Sequence, residues 1–175
     1  MEEKKHDKEL EIVILGHPVL RQKAEPVKDI NGKLKEFIDK MAETMYKARG
    51  IGLAGNQVAL PKRVFIMDVS HKEGKSNLEV YINPEILEKE GEIIYEEGCL
   101  SIPGYFAKVK RHAKIYVKAY DINGKEFERE LTGLPAIVFQ HEFDHLEGIL
   151  FIDRLSTLKK AMFKRWWKKH APKRK

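Results

Sequence analysis

The stretch "QHEFDH", residues 140–145, contains His-Glu-x-x-His. Two histidines four residues apart on a helix lie one turn apart on one face, so both imidazoles can reach a single cation. Glu142, between them, is offset around the helix and is placed to hold water beside the cation rather than to ligate it. Helices that bind nothing carry such pairs too. Here, however, Leu134, Ile137, Val138, His141 and His145 share an apolar face. Buried imidazoles without partners would be costly there, which favours a metal.

A working hydrolytic site needs a third protein ligand and an open position for water. The longer pattern of one peptidase class adds a glycine and then a third histidine. Gly148 is present, but Phe151 occupies the histidine's place and cannot ligate. A downstream glutamate has little room, because no Glu follows Glu147; Asp153, in "LFIDRL", is one alternative. Upstream, Cys99 stands in "EEGCLSIPG". A lone cysteine is usually a small buried hydrophobe. The surrounding glycines, serine and proline mark a shaped turn instead, and thiolate suits zinc or ferrous iron. Cys99 is therefore the strongest candidate for the third ligand.

"GIGLAG", residues 50–55, literally matches Gly-x-Gly-x-x-Gly. A dinucleotide site needs a strand before that loop and a helix after it, and here the order is reversed. The stretch reads instead as a helix-ending loop. Gln57 lies just beyond, and its side-chain amide suits an oxygen that develops charge at a metal.

Elements must position these groups. Leu34, Phe37, Ile38, Met41 and Met45 recur at helical spacing, after Asn31-Gly32 and ending near Gly50. "RVFIMDV", "EVYIN", "EIIYE" and "KIYVKAY" read as strands, and "DINGKEFE" as a hairpin turn. A second helix starts near Pro135 with Thr132 as its cap. A third runs from Ser156 to residue 170, with Leu158, Met162, Trp166 and Lys169 on one stripe. The expected fold is α+β: antiparallel strands around a central metal-binding helix, with a C-terminal helix.

The chain has 175 residues, 42% hydrophobic and 34% charged, which suits one soluble domain. No apolar run approaches a membrane span, and "MEEKKHDKEL" lacks the apolar stretch of a secretory signal. A single cysteine excludes an internal disulfide and fits a reducing compartment, so a cytoplasmic location is expected. Residues 159–175 hold nine of the 33 Lys and Arg and no acid, leaving 24 basic against 27 acidic residues elsewhere. The positive charge belongs to the tail. The expected division is a flexible arm over 1–10, one catalytic domain over 11–155, and a basic helix and tail over 156–175.

Taken together, "GIGLAGNQ", "EGCLS" and "QHEFDH" resemble the three motifs of the peptide deformylase family, in the same order and at similar separations. The resemblance covers about residues 11–155, including "GHPVLRQKAEPV"; Gly55 departs from it, where alanine is common. It implies hydrolysis of the N-formyl group from the N-terminal formylmethionine of new bacterial or organellar polypeptides, releasing formate. It implies Cys99, His141 and His145 as ligands of ferrous iron, with zinc or nickel able to substitute; ligand chemistry alone favours zinc. Water on that metal would attack the formyl carbon, with Glu142 as general acid/base. Gln57 and the Leu100 backbone N–H would stabilise the oxyanion. The methionine side chain would enter a pocket lined by Ile51, Leu134, Ile137 and Val138, while the peptide backbone pairs near Ile51, Gly52 and Gly98. Some bacterial members carry a C-terminal helix, which implies a contact between the basic tail and ribosomal RNA; the plainer reading is that its aromatics pack on the body. Another metal amidase or peptidase, and a non-enzymatic ribosome-binding protein, are the competing functions. Glu142 and Gln57 favour an enzyme, since a pure binder has no need of them.

Overall fold

Alternation along the strands and 3.6-residue periodicity along the helices account for the architecture of the computed structural model, which describes residues 10–70 and 74–172. Its elements are α1 (Gly32–Lys47), β1 (Gly52–Ala54), β2 (Val64–Met67), β3 (Glu79–Glu90), β4 (Ile93–Cys99), β5 (Ile102–Arg111), β6 (Lys114–Tyr120), β7 (Glu126–Thr132), α2 (Gly133–Leu146) and α3 (Thr157–His170). Five strands form an antiparallel sheet in the order β1-β2-β3-β6-β7, and β4-β5 form a separate two-stranded sheet. This is the expected α+β arrangement. Among the described residues no helix is long and apolar enough to cross a membrane.

β2 is buried on both faces, and its alternation divides two cores. Phe65 and Met67 join the cluster that holds Phe139 of α2, while Val64 and Ile66 join Ile38, Met41 and Met45 of α1. Phe65, Tyr81 and Phe139 pack at centroid separations of 5.0–5.2 Å. α2 is therefore pinned in the middle of the molecule, which fixes where its histidines can be. A third cluster joins β5, residues 150–155 and α3 around Ile102, Phe151 and Phe163.

Several boundaries differ from the sequence reading. Asn31 caps α1, its side chain accepting the Leu34 N–H at 3.0 Å, and the helix stops at Lys47. Thr132 sits at the N-cap of α2 but makes no side-chain capping bond, and Gly133 is already helical. "EVYIN" continues through Pro84 to Glu90, because the register shift between Ile82 and Glu85 accommodates a residue that cannot donate; a second shift follows between Ile86 and Glu88. β1 and β5 were not among the expected strands. On α3 the aromatics pack on the body: Phe163 is 4% exposed and Trp166 and Trp167 are half-buried, whereas Leu158 and Met162 of the expected stripe are 70% and 51% exposed. The expected arm lies outside the described residues except for Leu10, whose N–H donates to Thr44 Oγ1 at 3.0 Å.

Candidate active site and metal centre

Three elements meet at one point. β4 ends on Cys99, α2 presents His141, Glu142 and His145, and β1 leads into a 3-10 turn over Gly55–Val58 that carries Gln57. The donor atoms of Cys99, His141 and His145 all lie within 4.8 Å of one another. Cys99 Sγ is 3.4 Å from His145 Nε2. A thiolate and an imidazole sharing one tetrahedral ion stand roughly 3.5 Å apart, given bonds of about 2.3 and 2.1 Å. Asp153, the alternative ligand, is engaged elsewhere: its carboxylate accepts from Arg21 at 2.6 Å and from the Leu150 N–H at 2.8 Å.

Burial works against charge on His141, but hydrogen bonds to Cys99 and Glu97 and the charge of Glu142 outweigh it, lifting His141 well above the usual imidazole range. Burial, and then the charge on His141, hold His145 well below that range. One thiol and two imidazoles converge here, and that donor set fits a zinc- or iron-type ion.

Glu142 projects beside this point and is 3% exposed. Its Oε1 is buried without a hydrogen-bond partner among the described residues. Burial pushes its carboxyl up to about 7, with the charge on His141 pulling the other way. Such a value suits a group that both takes and returns a proton near neutrality. Gly52 has to be a glycine here, because a Cβ would stand 2.5 Å from Glu142 Oε2 and 3.0 Å from Val138.

Gln57 has a fixed orientation. Its Oε1 accepts the Ala54 N–H at 3.0 Å, so the NH₂ must face the opposite way. Nε2 lies 3.1 Å from Ser101 Oγ and 3.5 Å from Cys99 Sγ, which presents the donor end at the metal cluster. Gly55 does not face the site: a Cβ there would meet the Leu60 carbonyl oxygen at 2.5 Å. Its departure from alanine belongs to the 60–62 turn and leaves the chemistry alone.

A cleft of about 510 Å³ opens over these groups, lined by Ile51, Gly52, Gln57, Gly98, Cys99, Leu100, Leu134, Ile137, Val138, His141 and Glu142. All the sequence-read site residues therefore come together except that His145 lies beneath the floor, 1% exposed. A larger groove of about 870 Å³ between residues 15–21 and α3 has no such donor cluster among the described residues, so the site follows the donors and not the volume.

A buried chain of charges behind His141 escaped the sequence reading. His141 Nδ1 contacts Glu97 Oε1 at 2.9 Å, leaving Nε2 for the cation. Arg111 grips Glu97 at 2.7 and 2.8 Å and Asp144 at 2.7 Å, and Arg154 holds Asp144 at 2.7 and 2.8 Å. Burial alone would raise Glu97, but the bonds from Arg111 and His141 outweigh it and hold its carboxyl at about 2. One signal was available: Glu97 is an acid only two residues before Cys99 on β4.

The chemistry that such a centre performs on water makes the chain a metallohydrolase on a frame of helices and antiparallel sheet. Residues 9–161 match the family described as polypeptide deformylase, and the chain belongs to that family. It is 52% identical over 159 residues to the peptide deformylase of Thermodesulfovibrio yellowstonii, covering 91% of this chain and 96% of that one. With the peptide deformylase of Syntrophobacter fumaroxidans the identity is 50% over 160 residues, covering 91% and 94%. The crystal structure of a peptide deformylase from Legionella pneumophila superposes with a TM-score of 0.86 at 42% identity, over 92% of this chain and 94% of that chain. A peptide deformylase from Synechococcus elongatus, solved in complex with actinonin, gives a TM-score of 0.85 at 39% identity, over 91% and 89%.

Proposed function

We propose that this chain removes the formyl group from the N-terminal formylmethionine of newly made polypeptides and releases formate. The observation that carries this reading is the convergence of Cys99, His141 and His145 within 4.8 Å beside a buried glutamate, at the floor of an apolar-walled cleft. In this reading those three side chains hold ferrous iron, with zinc or nickel able to substitute. The ion supplies acidified water and polarisation of the formyl oxygen. Glu142 takes the proton of the attacking water and returns it to the departing amine. Gln57 Nε2 and the Leu100 N–H donate to the oxygen that gains negative charge at the formyl carbon. Leu134, Ile137, Val138 and Ile51 shelter the methionine side chain, and backbone at Ile51, Gly52 and Gly98 aligns the peptide. Glu97 fixes the ring of His141, so that Nε2 faces the ion.

The catalytic unit spans residues 11–155 and works in a bacterial cytoplasm. The exposed cations of α3, among them Lys160, Lys164 and Lys168, are the proposed contact with ribosomal RNA.

Competing metal amidases and peptidases are separated by substrate. The metal-loaded enzyme should release formate from formyl-Met-Ala and leave Met-Ala-Ser intact. Cleavage of Met-Ala-Ser without formate release from formyl-Met-Ala would make it a peptidase.

A further inference from the structure

Phe106 is 62% exposed, although it lines the catalytic cleft. Its position follows from strand alternation. Tyr105, one residue earlier, turns toward α3 and packs 4.8 Å from Phe163 and 5.0 Å from Trp166. Phe106 takes the opposite face and lies across Gly98 of β4, where a Cβ would collide with its ring. The bare glycine lets an aromatic side chain of β5 reach over β4 toward anything alongside. Glu97, next to Gly98, points the other way, into the His141–Arg111 network beneath the cleft. The two faces of this hairpin are therefore distinct: one serves α2 and the metal cluster, and the other displays Phe106 at the mouth.

We infer that Phe106 selects the residue that follows the methionine, favouring an apolar or aromatic side chain there. The inference rests on the proposed pairing of substrate backbone at Gly98. A methionine side chain directed to Leu134, Ile137 and Val138 occupies the α2 face. Alternation then sends the next side chain to the opposite face, where the Phe106 ring stands. An isolated exposed phenylalanine needs no explanation. One held over a glycine at the rim of a catalytic cleft presents apolar surface where substrate must pass.

The test compares kcat/KM for formyl-Met-Phe-Ser and formyl-Met-Gly-Ser, following formate. An aromatic contact of this kind gives a preference of roughly 3–10-fold for the phenylalanine peptide. Phe106→Ala should bring the ratio close to one, with the change in KM and not in kcat. Phe106→Leu should restore most of it. An unchanged ratio in Phe106→Ala, with formate still released, overturns the role of Phe106 while leaving the deformylase reading intact. No formate from either peptide with the metal-loaded wild type overturns both.

Discussion

Glu142 has a buried oxygen with no hydrogen-bond partner among the described residues and a carboxyl pushed up to about 7, beside a cluster whose donors it does not join. Glu142→Ala should therefore keep the metal and lose about 10²–10⁴-fold in kcat. Near wild-type turnover at equal metal content would remove it from the reaction. Cys99→Ser should weaken metal retention, because a hydroxyl is a poorer ligand than a thiolate. Full iron and full activity in that variant would point to a different third ligand. Glu97 sets an acid limit. Its carboxyl is held at about 2 against an ordinary 4.5, so its contribution is complete above about 4.5 and falls away as pH drops toward 2. Thermal melts between pH 6 and 3 should show a flatter decline for Glu97→Gln, and parallel curves would contradict this. Residue types and spacing exposed Cys99, His141, Glu142, His145 and Gln57, because each is unusual for its place in the chain. They did not expose Arg111 or Asp144. Charged residues are ordinary on a strand or helix, and only the tertiary fold brings Arg111 within 2.7 Å of Asp144.

At the scale of elements, α1, α2 and α3 were legible because apolar residues recur with helical spacing over many turns. β5 was not, since Pro103 and Gly104 open it and lysines alternate through its outer face. β1 has only three residues, too few to show a period. Its glycine belongs there because the strand passes within contact distance of Glu142. Helical spacing found α3, and its aromatics pack on the body as the plainer reading of the tail has it, although the stripe named from spacing is only partly the inward face. Leu158 and Met162 are as apolar as needed, yet the available partners, Tyr105, Ile102 and Phe151, sit beneath Phe163 and Trp166. Cys99 borders the same cluster, so α3 supports the end of β4 that carries the thiol. Phe163→Ala should cost about 3–5 kcal/mol, typical of a buried phenylalanine. Urea denaturation would measure it, and a loss under about 1 kcal/mol would show that α3 is a detachable tail. Truncation after Leu158 removes Phe163, Trp166 and Trp167 together and should lower both thermal midpoint and metal retention.

Across the whole molecule, charge and chemistry are separated. The tail from residue 159 holds nine basic residues and no acid, whereas the remainder carries a small excess of acid. Lys160, Lys164 and Lys168 are exposed on α3, whose aromatic face is turned to the body, so a nucleic acid could be held without disturbing the cleft. Co-sedimentation with ribosomes should decline steeply with salt through counterion release, and Lys164→Glu with Lys168→Glu should weaken it further. Equal co-sedimentation by that double variant would exclude this face. The central claim is that a single ion, held by Cys99, His141 and His145, drives deformylation. Anaerobic titration of the metal-stripped protein with ferrous iron tests it most directly, following formate from formyl-Met-Ala and the reactivity of the Cys99 thiol together. Formate release should rise in proportion to iron and level off at one ion per chain, while the thiol becomes protected over the same range. Formate release without metal, or a thiol that stays fully reactive in the active enzyme, would contradict it.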